Sequence, residues 1–257
     1  MAIDIVQLVL LCVVAFCAGF VDAIVGGGGL IQTPAALVLL PAHPVVTVIG
    51  SLKIPAFSGT SLAALQYLRR VPIRWKLATL LCTVAFFTSF TGSYLLTRVS
   101  NSFMKPLLLV VLTAVAIYTF RKKDFGQHEA KDHSPRRELL YAVLISLVLG
   151  LYDGFIGPGT GSFLLLAFVT LLGFDFLQSS AHAKLVNLAT NLGSITLFLA
   201  HGSILWEIAL PMAACNALGG AAGARLALAK GNRLIRTFFL IVVTGTLLRF
   251  LYDVFLK

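Results

Sequence analysis

The chain repeats itself at a fixed distance. Adding 131 to the position of an unusual residue in the first half lands on its twin in the second. Gly19 falls on Gly150, Asp22 on Asp153, Gly26 on Gly157, Gly28 on Gly159, Lys53 on Lys184, Trp75 on Trp206 and Gly92 on Gly223, with no gap needed. Self-similarity at this scale means two copies of one supersecondary plan, and the duplicated residues include charges inside strongly apolar stretches. The repeat therefore constrains fold and site together.

Composition sets the class. Of the 257 residues, 58% are hydrophobic and 12% charged, and the mean hydropathy is +0.95. A soluble domain is roughly 45 to 50% apolar and about 25% charged. This is the composition of an integral membrane protein. The net charge of +10 would point to nucleic acid in a soluble chain, but the same excess arises when short cytoplasmic loops carry Lys and Arg. Topology explains it better, so no nucleic-acid partner is expected. Cys12, Cys17, Cys82 and Cys215 lie in apolar runs without metal-ligand spacing, which supports neither a zinc site nor a disulfide framework. They read as small apolar side chains, and no metal or cofactor is expected. The opening Met-Ala-Ile-Asp lacks the basic stretch and small-residue cleavage site of a secretory signal, so the first apolar run is expected to be retained.

Apolar segments recur at about 5–25, 29–41, 44–68, 77–97 and 102–120, then at 139–157, 160–173, 176–200, 207–228 and 234–256. Most have the roughly 20 residues that a hydrocarbon core of about 30 Å requires of a helix. The second member of each half is too short to cross. It follows a glycine-rich break, Gly26 to Gly29 or Gly157 to Gly161, so each break reads as the tip of a helical hairpin within the membrane. The polar stretch 121–138 is the only long linker. The expected organisation is a first membrane repeat at 1–120, a cytoplasmic linker at 121–138 and a second membrane repeat at 139–257. The fold class is all-α: a polytopic membrane protein of about 8 to 10 hydrophobic helices.

Loop charge orients the halves. Arg69, Arg70, Arg74 and Lys76 crowd one loop; Arg121, Lys122, Lys123, Lys131, Arg136 and Arg137 the linker; Lys230, Arg233 and Arg236 a third. If these loops are cytoplasmic, each half crosses an odd number of times, and the halves are inverted relative to each other with both termini outside. Trp75 and Trp206 fit interfacial anchors.

The buried charges locate the site. An ionised carboxylate in hydrocarbon costs roughly 2.5 to 3.5 kcal/mol on insertion scales, so Asp22 and Asp153 need a partner or a wet cavity. They are candidates for proton coupling, or for a structural role at the glycine breaks. Lys53 and Lys184 sit too far inside their helices to snorkel easily. They are candidates for contact with a transported species. The structural alternative pairs Lys53 with Asp22 and Lys184 with Asp153. A helix that begins at mid-depth aims unpaired amides and the positive end of its dipole forward, so Gly28, Gly29, Gly159 and Thr160 are expected at an anion site. Ser180, Lys184, Asn187 and Asn191 share one helical stripe. The first half substitutes Ile49, Lys53, Ala56 and Thr60, so substrate choice is expected to rest on Asn187 and Asn191. His182 is a further candidate, although a packing role suits it as well.

The stretches 19–29 (Gly-Phe-Val-Asp-Ala-Ile-Val-Gly-Gly-Gly-Gly), 150–161 (Gly-Leu-Tyr-Asp-Gly-Phe-Ile-Gly-Pro-Gly-Thr-Gly) and 182–187 (His-Ala-Lys-Leu-Val-Asn) resemble the TauE/SafE sulfite-exporter family of membrane transporters. The resemblance covers essentially the whole chain. It implies movement of sulfite, sulfoacetate, thiosulfate or related organosulfonates, or small carboxylates, across a bacterial inner membrane, without choosing among them. The expected partners are a small anionic substrate and the lipid bilayer, with a homodimer left open. Two other classes compete with this reading. A membrane scaffold or assembly factor would use the symmetric charges structurally. An intramembrane aspartyl protease would need a Gly-x-Gly-Asp that the chain lacks, and the nearby lysines oppose a shared proton. The expectation is a carrier, not an enzyme.

Overall fold

The computed structural model describes residues 4–100, 135–235 and 237–238. Within them the chain is helical: α1 Ile5–Val25, α2 Gly28–Leu39, α3 Val45–Leu68, α4 Trp75–Arg98, α5 Pro135–Phe155, α6 Thr160–Leu171, α7 Phe176–Ala200 and α8 Trp206–Lys230. The apolar run expected at 102–120, most of that at 234–256, and linker residues 121–134 lie outside the described residues.

Shifting the first four helices by 131 residues gives 136–156, 159–170, 176–199 and 206–229, and α5 to α8 match these bounds within one residue. The arithmetic repeat is thus a repeat of helices. The start of α5 departs from expectation, because the helix begins four residues before the apolar run at 139. Pro135 occupies its first helical position, where the missing N–H has no partner to lose, and Glu138 lies in its first turn against the positive end of the dipole.

Helices α1, α3, α4, α5 and α7 are long and apolar enough to cross a membrane, and the chain is a polytopic membrane protein. At 12 residues each, α2 and α6 reach only about 18 Å at 1.5 Å per residue. They do not cross. The lipid-facing side is apolar: Ile5, Val6, Val9 and Val13 of α1 are all more than half exposed. Trp75 and Trp206 are exposed at the first positions of α4 and α8.

Small residues let the helices approach closely. A side chain at Gly223 would collide with the carbonyl of Phe20, and one at Gly92 with that of Leu151. Phe20 and Leu151 are themselves 131 apart, so α1 packs on α8 as α5 packs on α4. Such close contact is how membrane helices gain dispersion energy where lipid offers no hydrophobic drive. Helices α3 and α7 form the buried centre and run antiparallel. Gly50, near the start of α3, lies against Phe198 at the end of α7 and Ser203 just beyond it, while Tyr67 at the end of α3 clusters with Phe176 and Ala181 at the start of α7.

Candidate functional site

The two glycine breaks meet. Gly26 ends α1 in the left-handed region at φ 78°, and its amide returns to the Asp22 carbonyl at 2.8 Å. A side chain there would strike the backbone of Gly161, and the reverse holds for Gly161 against Gly26. Glycine on both tips is what lets the backbones touch. Ser162 of α6 seals the contact, its amide donating to the Gly26 carbonyl at 3.0 Å and its hydroxyl to the Val25 carbonyl at 2.9 Å.

The charges pair across the halves. Lys53 Nζ of α3 donates to the carbonyl of Asp153 at 2.6 Å and to its carboxylate at 3.1 Å. Lys184 Nζ of α7 donates to the carbonyl of Asp22 and to its carboxylate, the latter also at 3.1 Å. This corrects the structural alternative, in which each lysine neutralises the aspartate of its own half. The crossing has a geometric cause: α3 and α7 lie side by side at the centre, so each presents its lysine to the opposite hairpin. Both pairs sit in low dielectric, with side-chain exposures of 7% and 6% for Lys53 and Asp153, and 2% and 18% for Lys184 and Asp22.

A cavity of about 70 Å³ opens between the pairs. That is more room than a single water needs. Among the expected site residues, Asp22, Gly28, Gly29, Lys53, Asp153, Gly159, Thr160, Asn187 and Asn191 line it. The Gly28 amide donates to the Asp22 carboxylate at 3.3 Å. The amides of Gly29, Gly159 and Gly161, which also line the space, have no acceptor among the described residues. They are the orphan donors of two helix starts whose cap residues, Gly27 and Gly159, have no side chain to offer.

Two expected residues do not reach the cavity. Lys184 lies behind Asp22 and is not part of the wall. His182 faces the opposite way: its Nδ1 bonds to the Gln178 carbonyl at 2.8 Å, the Arg74 amide donates to Nε2 at 3.3 Å, and Phe174 packs beside the ring at 4.8 Å between centroids. With both nitrogens engaged and Nε2 accepting, the ring is the neutral Nδ1–H tautomer, a packing residue of the loop side. Sequence reasoning missed Gln32 and Asn216, which line the cavity and bond to each other at 2.9 Å. A buried amide inside each apolar run was the available signal. The four cysteines are free, Cys12 and Cys215 packing beside one apolar cluster.

Helices long enough to cross a membrane, two short half-helices meeting tip to tip and buried charge pairs beside a shared cavity define a class: polytopic membrane proteins with a charged cluster inside the helix bundle. The family model "Sulfite exporter TauE/SafE" matches residues 11–250, and the chain belongs to that family. A "Probable membrane transporter protein" of Haemophilus influenzae is 37% identical over 253 residues, 98% of each chain. "Probable membrane transporter protein ORF9" of Sinorhizobium sp is 36% identical over 246 residues, 96% of this chain and 93% of the relative. "Probable membrane transporter protein YfcA" of Escherichia coli K12 is 33% identical over 246 residues, covering 93% and 88%. No solved structure matches the chain.

Proposed function

We propose that the protein carries a small sulfur-containing anion, such as sulfite, sulfoacetate, thiosulfate or another organosulfonate, across the bacterial inner membrane by alternating access. Small carboxylates are the related chemistry. One observation carries the reading: Lys53 lines a single cavity together with Gly29, Gly159 and Gly161, whose amides have no acceptor among the described residues. Ammonium and helix-start amides together suit an anion. Asn187 and Asn191 add amide groups on one wall, and Lys184 acts from behind by holding Asp22.

The halves, 1–120 and 139–257 joined by the linker 121–138, are inverted repeats in this reading. Support comes from α3 and α7, which hold equivalent places 131 residues apart and yet run antiparallel. Rocking of one half against the other about the hairpin tips would expose the cavity to each side in turn.

Charge counting links the anion to a proton. Two lysines and two aspartates leave the site neutral, so an anion gains net attraction only when one carboxylate is protonated. Asp153 is the candidate. It would take a proton on a carboxylate oxygen from whichever side is open, freeing Lys53 for the anion, and return both on the far side. The titratable groups around it are Lys53, with Asp22 and Lys184 across the cavity; the neighbouring Tyr152 hydroxyl is committed to the Pro158 carbonyl at 2.6 Å.

Calorimetry on purified protein with sulfite, sulfoacetate, thiosulfate and a small carboxylate tests the ligand class. Heat with at least one is expected, and silence with all four overturns the class. Binding should tighten as pH falls. In Asp153→Asn it should lose that dependence, and an unaltered pH profile removes the carboxylate from the coupling. A scaffold is the second reading, favoured by the pairing of both buried lysines with aspartates. It expects no flux in proteoliposomes under any imposed pH or voltage gradient.

A further inference from the structure

A second site lies at the membrane edge, away from the central cavity. Helices α3 and α8 run parallel, and near their C-terminal ends they leave a groove of about 490 Å³, lined by Leu62, Leu65, Gln66, Arg69 and Arg70 on one wall and chiefly Arg225 and Leu228 on the other. Positions 62, 65, 66 and 69 recur at the spacing of one helical face, as do 221, 225 and 228 on α8. The Gln66 side chain, donating to the Ala221 carbonyl at 3.1 Å, ties the walls together. The groove is therefore a fixed feature of the helix packing.

Its chemistry is one-sided. Three arginines line it and, among the described residues, no acidic side chain does. None of the three takes part in an ion pair among the described residues. Arg225 stands five residues inside the end of α8, about 7.5 Å along the axis, so it reaches back toward the interface from below. Leu62 and Leu65 on the same face are 38% and 47% exposed, which makes the groove apolar where it descends into the bilayer. The equivalent face of the other half keeps none of these arginines: Arg69, Arg70 and Arg225 correspond to Ala200, His201 and Tyr94. The feature belongs to one membrane face only, the one carrying the basic loops.

We propose that this groove binds the headgroup of an anionic phospholipid, with the phosphate held by Arg69, Arg70 and Arg225 and an acyl chain laid along Leu62 and Leu65. Charge complementarity selects the phosphodiester, because guanidinium forks match phosphate oxygens in pairs. The exposed leucines select a lipid over a free ion. Basic pockets between membrane helices on such a face recognise anionic headgroups by the same means.

The test uses the full chain in neutral detergent, titrated with phosphatidylglycerol, phosphatidylcholine or inorganic phosphate, and read by lipid retention in native mass spectrometry and by thermal shift. Phosphatidylglycerol should bind and raise Tm, while phosphatidylcholine and phosphate should not. The triple variant Arg69→Gln/Arg70→Gln/Arg225→Gln should hold phosphatidylglycerol about a hundredfold more weakly, three arginines contributing about 1 kcal/mol each. If the triple variant fails to fold, Arg225→Gln alone should weaken retention about fivefold by the same conversion. Equal retention of the two lipids, a phosphate effect matching that of phosphatidylglycerol, or undiminished binding by the variants would each overturn the proposal.

Discussion

The two charge pairs are copies of one arrangement, yet their surroundings differ. Asp22 accepts from Lys184, from the Gly28 amide and from the Thr60 hydroxyl at 3.4 Å. Asp153 has only Lys53 as a side-chain or amide donor among the described residues. Lys53 lines the cavity, whereas Lys184 is walled off behind its partner. The repeat holds two equivalent ion pairs with both aspartates on the cavity wall; Asp22 is braced by several donors, whereas Asp153 rests on Lys53 alone.

The largest effect should come from breaking the exposed difference. Lys53→Met strands Asp153 in a low-dielectric site, a loss of about 3 to 5 kcal/mol. Lys184→Met should lose less, about 1 to 3 kcal/mol, because Asp22 keeps an amide and a hydroxyl. Thermal unfolding of the purified proteins measures both, and equal losses would erase the distinction between the braced carboxylate and the one with a single partner. Removing both charges sharpens it. Lys53→Met/Asp153→Leu should regain most of the stability, since an apolar replacement for a buried pair is often neutral, while anion binding stays abolished.

That crossed pairing marks the limit of what the sequence discloses. The offset of 131 located the helices within a few residues, and glycine breaks, lysines and aspartates were all legible as one cluster. Which lysine meets which aspartate was not. Equivalence under a repeat says that two contacts match, not whether they run within a half or between halves, and that depends on α3 and α7 packing side by side. For His182 the sequence left a site role and a packing role open, and helix geometry separates them. It stands two residues from Lys184, about 200° around the helix at 100° per residue, and so faces away from the cavity. Gln32 and Asn216 escaped notice because their counterparts are Phe163 and Ala85; attention to duplicated residues passes over polar groups present once.

The next effect concerns the walls rather than the charges. Asn187 and Asn191 line the cavity where the first half has Ala56 and Thr60, and the Asn191 side-chain amide donates to the Asn187 carbonyl at 2.8 Å. Asn187→Ala/Asn191→Thr makes the second half copy the first. Affinity should fall about tenfold for each lost ligand hydrogen bond, roughly 1.4 kcal/mol, with Tm nearly unchanged. Competition among sulfite, sulfoacetate and thiosulfate reads the outcome. Unaltered ranking of the three would move selectivity away from this asymmetry.

The smallest effect tests the asymmetry that the repeat conceals. Asn216 donates to Gln32 Oε1, and Gln32 in turn donates to the Leu52 carbonyl at 3.4 Å, one residue before Lys53. Hydrogen bonds between membrane helices average about 0.6 kcal/mol, so a double-mutant cycle with Gln32→Leu and Asn216→Leu should give a coupling of that order. A purely structural bond would change stability alone. Here the chain of amides ends beside the lysine that faces the cavity, so the Gln32 variant should also weaken anion binding, whereas an equally mild lesion at the loop side, His182→Gln, should not. Loss of binding in both would mean that global packing, and not this wall, governs affinity.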